Sequence, residues 1–311
     1  MFHLLAKSIR PMIKRTIEIS SGPVHLALKN GQMLLKRGSD ELHSIPVEDI
    51  GLLVLSHPAI SYTHGLLYKL LDFNVAVLFC NDRHLPEGLL LPFQDNQVYS
   101  ERLKYQTKAS KPLKKRIWQQ TVRAKIKAQS RLLKALHSDD DGIGNMAKKV
   151  KSGDPENKEA TAAVRYWKAL FPDLKFRRIQ GGDGLNTLLN YGYAVLRAAV
   201  ARSITAAGLH PSMGVHHHNK YNPYCLADDI MEPMRPLVDE IVYKLYKEQG
   251  TQKIQLLPSI KKPLLGLLGD SVEIRGSKYP LMESLHLVAG DLVDCYSGKK
   301  RKLRFPIRLE L

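Results

Sequence analysis

The sequence has few cysteines and no long apolar run. Its 311 residues include three cysteines, Cys80, Cys225 and Cys295, and none of them belongs to a C-x-x-C pair. Such sparse cysteines cannot form a disulfide framework, and they predict reduced thiols in a cytoplasmic protein. The longest apolar runs, such as VAVLFC, are far shorter than the roughly 20 residues of a spanning helix. We therefore predict no membrane anchor, and the brief apolar run at the N-terminus predicts no signal peptide.

The signatures of two common enzyme classes are also missing. A G-x-x-x-x-G-K-[ST] loop would indicate nucleoside triphosphate hydrolysis and a G-x-S-x-G elbow would indicate acyl transfer, and the sequence contains neither. Acidic residues are scarce relative to basic ones, because 30 Asp and Glu face 47 Lys and Arg, a net charge of +17. A protein this basic is expected to bind a polyanion.

The first third of the chain has the pattern of short strands. The β-favouring runs KRTIEIS, VHLALKNGQMLLKR, DIGLLVLS and NVAVLFCN alternate with turn signals. Between the second pair of runs, the apolar spacing in SYTHGLLYKLLDFN predicts one short helix. The dipeptide Asn30-Gly31 predicts a two-residue hairpin, because both residues tolerate positive φ. We therefore predict a small β domain over residues 1–97.

The remainder of the chain has the composition of helices. Segments rich in Lys, Leu, Ala, Gln and Arg predict helices at about 113–137, 156–170, 184–207, 226–248 and 280–296. We expect Pro112 to interrupt the first long segment, because proline lacks an amide hydrogen. The predicted fold class is α+β, with the β domain followed by a larger all-α catalytic domain over residues 98–311.

Positive charge is concentrated at the start of the helical part. Residues 101–151 hold fifteen Lys or Arg and four Asp or Glu, which is +11 of the net charge. Interleaved apolar residues such as Trp118 predict a helix that buries one side and carries positive charge on another. The alternative is a solvated helix surface without a partner, and the basic tail from Gly298 has the same ambiguity. The candidate DNA-binding residues are Lys114, Lys115, Arg116, Arg123 and Lys127.

The first motif with a notable carboxylate is SGDPENKEATAAVRYWKALF. A helix that starts near Pro155 places Glu159 on the same stripe as two alanines and Tyr166. A carboxylate on an apolar stripe needs a partner. The ordinary alternative, a glutamate in the first helical turn, fits Glu156 better than Glu159.

The second motif is a histidine-rich loop, GLHPSMGVHHHNKYNPY, which contains His210, His216, His217 and His218. Consecutive histidines project in different directions, so at most one or two of the last three can face a single site. Metal binding and ordinary surface or core histidines both remain open here. Structural zinc would require a closed set of nitrogen and sulfur ligands, and only Cys225 is nearby.

The third motif, LADDIMEPMRPLVDEI, brings three acids within one helical turn. Asp228 and Asp229 precede Glu232 by four and three residues, and such carboxylates repel unless a cation or basic group lies between them. An acidic helix start explains Asp228 but not Glu232. Pro233 is expected to kink the helix beside these acids.

Together these motifs offer oxygen ligands and one imidazole, which suit Mg²⁺ or Mn²⁺ better than structural zinc. Such an ion beside a basic surface is typical of phosphodiester chemistry, because it withdraws charge from phosphoryl oxygens and activates a hydroxyl nucleophile.

The ordered series SGDPENKEATAAVRYW, LNYGYAVLR, AGLHPSMGVHH and NPYCLADDIMEPMRPLVD resembles the CRISPR-associated integrase of spacer acquisition, the "Cas one" family, in the form found in type two systems. The resemblance implies a β domain before an α-helical catalytic domain. It also implies that Glu159, His217 and Glu232 are the divalent-metal ligands, and that Tyr191 and Lys220 lie near the site. Whether His216 or His218 also contributes is left open.

The activity that the resemblance implies is a metal-dependent integrase and endonuclease that joins the 3′-hydroxyl of captured DNA to a CRISPR repeat. The implied partners are duplex or branched DNA, a second copy of this chain, the small "Cas two" dimer and other type two adaptation proteins. One alternative is a non-catalytic basic scaffold that binds nucleic acid. A weaker alternative is a zinc-binding, RNA-interacting protein that uses the histidine loop and Cys225.

Overall fold

The computed structural model describes residues 14–93, 96–250 and 255–308. These ranges contain ten β-strands: β1 (Arg15–Ile19), β2 (His25–Lys29), β3 (Gln32–Arg37), β4 (Asp40–Pro46), β5 (Ile50–Leu55), β6 (Ser61–Tyr62), β7 (Ala76–Cys80), β8 (Pro86–Leu90), β9 (Ser271–Ile274) and β10 (Ser277–Pro280). They also contain ten α-helices: α1 (His64–Asp72), α2 (Tyr99–Thr107), α3 (Lys111–His137), α4 (Ile143–Lys149), α5 (Lys158–Leu170), α6 (Leu185–Ala206), α7 (Cys225–Met231), α8 (Arg235–Gln249), α9 (Pro258–Gly266) and α10 (Leu281–Tyr296). The predicted α+β class is confirmed.

The hairpin predicted at Asn30-Gly31 joins β2 to β3. Both residues have positive φ, 49° for Asn30 and 74° for Gly31, a conformation that these residue types adopt at little cost. The two strands pair antiparallel, and the sheet has the order β4-β3-β2-β6. The short helix predicted in this region is α1, which packs against β2.

A second sheet, in the order β1-β5-β7-β8, is covered on both faces. β1, β5 and β7 are parallel, whereas β8 is antiparallel to β7. Leu53 and Val77 pack into the core under the first sheet, whereas Leu52 and Leu78 pack into the core of the helices. Every residue of β5 is therefore buried, which explains its continuous apolar sequence.

One hydrophobic cluster consequently spans the predicted domain boundary. Leu52 and Leu78 belong to the same cluster as Val122 of α3 and Leu189 of α6. The division at residues 97 and 98 stays a prediction, and residues 94–95 beside it lie outside the described ranges.

The start of α3 follows from its first residues. Ser110 accepts a hydrogen bond from the amide of Leu113 through its hydroxyl, and Pro112 occupies the first turn, where its missing amide hydrogen costs nothing. The predicted interruption is the gap between α2 and α3.

The predicted helix over 226–248 is broken where Pro233 was expected to kink it. Glu232–Met234 form a single 3₁₀ turn between α7 and α8. Proline cannot donate the backbone hydrogen bond that would continue α7. The break places Glu232 at the junction of two helices.

The prediction of an all-α second part is wrong. β9 and β10 form an antiparallel hairpin, and its turn residues Arg275 and Gly276 have φ of 57° and 78°. Such a turn needs two residues with positive φ, and Gly276 was its sequence signal. Among the helices of the described residues, none is both long enough and apolar enough for a membrane span.

Candidate active site

The ammonium of Lys125 lies between two carboxylates. Its Nζ contacts Glu159 Oε1 at the start of α5, and it lies 2.6 Å from Glu232 Oε2 in the 3₁₀ turn. Lys125 and Glu232 are buried, whereas Glu159 is half-buried. A buried ammonium is tolerated only where opposite charges surround it, and here α5 and the 3₁₀ turn supply them.

Asp154 determines where the helix that carries Glu159 begins. Its two carboxylate oxygens accept hydrogen bonds from the amides of Lys158 and Glu159, each at 2.9 Å. This corrects the predicted start near Pro155. The first-turn position assigned to Glu156 belongs instead to Glu159, because the asparagine-containing turn after Asp154 delays the helix to residue 158.

Glu232 is held from two sides by cations. Besides Lys125, the Nε of Arg235 lies 2.9 Å from Glu232 Oε1. Burial would raise the pKa of Glu232, but the charges of Arg235 and Lys125 outweigh it and hold that pKa below its ordinary value. The carboxylate is therefore an anion at neutral pH.

Asp229 organises the histidine loop. Its carboxylate accepts the backbone amides of Val215 and His216 at 2.7 and 2.8 Å, and its other oxygen lies 2.5 Å from Nδ1 of His217. The hydrogen bond to Asp229 is the main reason why the pKa of His217 is raised. Because Nδ1 is engaged, Nε2 is the nitrogen that His217 can offer to a ligand.

The structure brings the three predicted ligands into one neighbourhood. The charges of Glu232 and Glu159 both raise the pKa of His217, and His217 in turn helps to lower that of Glu232. His217 and Glu232 also line one cleft of about 1350 Å³. Residues far apart in sequence, on α5, on the loop and in the 3₁₀ turn, thus share one electrostatic environment.

His216 packs differently from its neighbours. Its ring stacks on buried Trp118 of α3 with a centroid distance of 4.2 Å, and His217 meets the same indole edge-on at 5.7 Å. His218 is exposed. The structure therefore gives His216 a packing contact beside the site.

The wall of the cleft carries several guanidinium groups. Arg178, Arg197 and Arg235 line it, and Arg197 is anchored through its Nε at 2.6 Å from Asp228. Clustered guanidinium groups are suited to phosphate oxygens, because each offers planar, paired donors. The cleft is therefore basic next to its acidic corner.

A buried carboxylate ties together the helices around the site. Asp239 of α8 accepts hydrogen bonds from the hydroxyls of Tyr166 on α5, at 2.7 Å, and of Tyr193 on α6. Arg235 lies 4.6 Å over the ring of Tyr193. Burial raises the pKa of Asp239 to about 6. This arrangement holds α5, which carries Glu159, against the helix that follows Glu232.

The two near-site predictions, Tyr191 and Lys220, lie in different surroundings, and their roles stay predictions. Tyr191 is buried near Glu18 of β1, and its pKa is raised mainly by burial and also by the charge of that carboxylate. Tyr193 of the same motif contacts Asp239 and Arg235 beside the site. The two tyrosines differ because residues two apart on a helix face different sides. Lys220 is exposed, with its Nζ 4.8 Å from the ring centre of Tyr221.

The candidate DNA-binding residues divide by exposure. Lys115, Arg116 and Lys127 are exposed and Lys114 is half-buried. Arg123 is half-buried and donates from Nη2 to the carbonyl of Val150 at 2.7 Å, so it is engaged in holding the end of α4.

Sequence reasoning missed five residues of this site, because their roles depend on side chains from distant parts of the chain. They are Lys125, Asp229, Arg235, Tyr193 and Asp239. Asp229 was noted only as one of three acids within one helical turn, without a role of its own.

The donor types at the site fit a hard divalent cation. Two carboxylates and an imidazole are ligands that Mg²⁺ and Mn²⁺ accept, and the ammonium of Lys125 shows that positive charge is accommodated between the carboxylates. As the side chains stand, no three His, Cys, Asp or Glu residues within 14–93, 96–250 and 255–308 are grouped to hold one ion.

Two side chains of the zinc alternative make local contacts in the loop. Cys225 donates its thiol to the carbonyls of Asn219 and Asn222, and His210 contacts Ser212 through Nδ1. These side chains therefore serve local loop structure, which agrees with the poor match of their spacing to zinc sites.

Known structures share this fold. A casposase bound to integration product matches with a TM-score of 0.76 at 21% identity, covering 93% of this chain and 92% of that chain. A Cas1 protein from Thermotoga maritima matches with a TM-score of 0.73 at 18% identity, covering 91% and 97%. These structures show the fold, and the acidic corner beside an arginine-lined cleft suits an enzyme that acts on phosphate groups.

The sequence comparisons narrow this class. The family model for CRISPR associated protein Cas1 matches residues 18–256. The CRISPR-associated endonuclease Cas1 of Neisseria meningitidis serogroup C is 36% identical over 96% of this chain and 98% of its own length. A CRISPR-associated endonuclease Cas1 of Saccharolobus solfataricus is 27% identical over 78% of each chain. The chain belongs to the Cas1 family of CRISPR-associated endonucleases, which confirms the resemblance in its motifs.

Proposed function

We propose that this endonuclease joins the 3′-hydroxyl of a captured DNA fragment to a phosphodiester of the CRISPR repeat, with Mg²⁺ or Mn²⁺ held by Glu159, His217 and Glu232. The observation that carries the proposal is the convergence of two carboxylates on one ammonium beside an imidazole whose Nδ1 is engaged. The casposase, whose structure includes an integration product, has the same fold.

The chemistry requires no nucleophile from the protein. A bond forms between the 3′-oxygen of the fragment and the phosphorus of the attacked phosphodiester. The bond from that phosphorus to the 3′-oxygen of the nucleotide on its 5′ side breaks. The attacking hydroxyl loses its proton and the leaving oxygen gains one. A bound divalent ion would withdraw charge from the phosphoryl oxygens and activate the hydroxyl.

The residues of the chain supply position and charge. Arg197 and Arg235 line the cleft and can neutralise phosphate oxygens as negative charge develops. Asp229 holds both the backbone and the ring of His217, so the imidazole is oriented before substrate arrives. Water in place of the 3′-hydroxyl would give strand cleavage at the same site.

The proposed partners follow from the family and the charge. We infer duplex or branched DNA on the exposed cations of α3, a homodimer, and a dimer of the small "Cas two" protein. A chain of a Cas6-RT-Cas1–Cas2 complex has a related fold, with a TM-score of 0.75 at 18% identity over 97% of this chain and 37% of that chain. Other adaptation proteins and a cytoplasmic location are further parts of the proposal.

The test is an integration assay with short duplex DNA, a plasmid that carries a repeat, the purified partner protein and Mg²⁺, Mn²⁺ or chelator. We expect joined product only with a divalent ion. Glu159→Ala, His217→Ala and Glu232→Ala should each abolish joining while DNA binding persists, since the exposed cations remain. Glu156→Ala is the matched control and should join normally.

Two outcomes would overturn the proposal. Normal joining by all three variants would remove Glu159, His217 and Glu232 from the chemistry. Salt-sensitive DNA binding by the wild-type protein without any metal-dependent product would favour the non-catalytic scaffold.

A further inference from the structure

Lys125 occupies an unusual position for a lysine. It lies on the inner side of α3, is 8% exposed, and contacts carboxylates that come from α5 and from the turn before α8. Arg235 adds a second cation at Glu232, whereas Lys125 contacts both Glu232 and Glu159. Lys125 is therefore the residue that links the two carboxylates.

This position has an electrostatic reason. Without a cation between them, Glu159 and Glu232 would repel each other. Glu232, which is buried, would also lose one of its two cationic partners and keep only Arg235. A divalent ion bound by the same two carboxylates would meet the same need. An ammonium and a divalent ion carry like charges, so they cannot both occupy the space between the same oxygens at low energy.

We propose that Lys125 is a built-in counter-ion, which occupies the space between Glu159 and Glu232 until a divalent cation replaces it there. This inference rests on the proposed metal site. The ion pair and metal binding then exclude each other, and the lysine weakens metal affinity while it stabilises the metal-free protein. A lysine is suited to this exchange, because its flexible stem lets the ammonium move while α3 stays in place.

The first experiment measures Mn²⁺ affinity by calorimetry on the full chain without DNA. Lys125→Gln should bind Mn²⁺ about tenfold more tightly than the wild type, the range of an ordinary coupling between two competing cations. Lys168→Gln removes an exposed positive charge from α5, the helix that carries Glu159, and should leave the affinity unchanged. Equal or weaker binding by Lys125→Gln would overturn the proposal.

The melting temperature of Lys125→Gln should differ from that of the wild type in a way that depends on metal. Without metal, Lys125→Gln should melt below the wild type, because the carboxylates lose their shared partner. Saturating Mn²⁺ should raise its melting temperature by more than it raises that of the wild type. A purely structural lysine would lower both melting temperatures by the same amount, which would count against the proposal.

A labelling experiment uses the wild-type protein, so its result does not depend on whether a variant folds. An amine-reactive reagent followed by mass spectrometry should modify Lys125 poorly in chelator and more extensively with Mn²⁺, because the ammonium leaves its carboxylate partners. Exposed Lys168 should react equally in both conditions. Unchanged or reduced modification of Lys125 with Mn²⁺ would overturn the exchange.

The controls separate this inference from the proposed metal site. If Mn²⁺ binds and Glu159→Gln abolishes binding, but Lys125→Gln does not tighten it, the metal site stands and the exchange fails. If Mn²⁺ binding is unaffected by Glu159→Gln, Glu232→Gln and His217→Ala, the metal site itself is wrong.

Discussion

The two sides of α3 present the same residue types in opposite environments. Arg116 and Lys127 are exposed, whereas Lys125, two residues before Lys127, is buried against Glu159 and Glu232. On the outer side Arg116 and Lys127 are exposed to solvent, so the loss of either charge costs little. On the inner side each charge depends on its neighbours, so the loss of one leaves others buried and unpaired.

The difference shows what a count of charges can and cannot indicate. The excess over residues 101–151 correctly marks α3 as basic, but it assigns equal weight to every cation. Burial separates those that can reach a polyanion from the one that belongs to the acidic corner. The predictions below test this separation, starting with the largest expected effect.

Removal of a buried carboxylate should have the largest effect. Glu232→Ala leaves Lys125 and Arg235 near each other without their common anion, and we expect the free energy of unfolding to fall by about 3–5 kcal/mol. Urea denaturation measures it. Glu156→Ala, which removes an exposed carboxylate paired with Lys151, should unfold like the wild type. Equal losses of unfolding free energy in the two variants would show that the buried and exposed carboxylates do not differ in their contribution to stability.

The next prediction concerns the pH dependence of stability at Asp239. Its pKa is about 6 in the folded protein against an ordinary 3.8, so between these values the folded state keeps a proton that the unfolded chain has lost. Its contribution to the unfolding free energy therefore falls as pH rises through this window, by about 3 kcal/mol in total. Asp239→Asn replaces the carboxyl group with a neutral amide and so removes this titration.

The measurement is urea denaturation of the wild type and Asp239→Asn from pH 4 to pH 7. The stability of the variant relative to the wild type should improve as pH rises. Asp82→Asn, at an exposed turn, is the matched substitution. A constant difference between Asp239→Asn and the wild type across this range would show that burial does not hold the proton on Asp239.

A smaller effect is expected in the histidine loop. His216→Ala removes the ring stacked on Trp118 and should lower the free energy of unfolding by about 1 kcal/mol. His218→Ala removes an exposed ring and should leave stability near that of the wild type. Denaturation curves that coincide for the two variants would remove the packing role of His216.

The smallest effect on stability is expected on the outer side of α3. Arg116→Ala and Lys127→Ala should each change the unfolding free energy by less than about 0.5 kcal/mol. DNA affinity should fall, and the slope of its logarithm against log salt should decrease by about one for each lost phosphate contact. An unchanged salt slope would mean that these cations do not reach DNA.

Local signals predicted much of the fold. The Asn30-Gly31 hairpin, the break at Pro233 and the start of α3 around Pro112 each depend on the conformational limits of a few adjacent residues. The β9–β10 hairpin was missed, although Gly276 marks its turn, because its strands have four residues each and lie among helices.

Site residues could be predicted from the sequence only where they belong to a recognisable motif. Glu159, His217 and Glu232 came from a family resemblance, and their roles stay a proposal. Lys125 could not be found in the pattern of α3, because the side chains that make its burial possible arrive from other helices. Asp239 was missed for the same reason, since its two tyrosine partners lie on α5 and α6.

The double-sided burial of β5 limits how this chain can be divided. Leu52 and Leu78 cover apolar side chains of the helices, so a fragment that begins at residue 98 would present that surface to water. Such a fragment should self-associate, which light scattering would detect. Any truncated or chimeric version intended to retain the catalytic helices must therefore keep the central strands of the amino-terminal sheet or replace their inward-facing side chains.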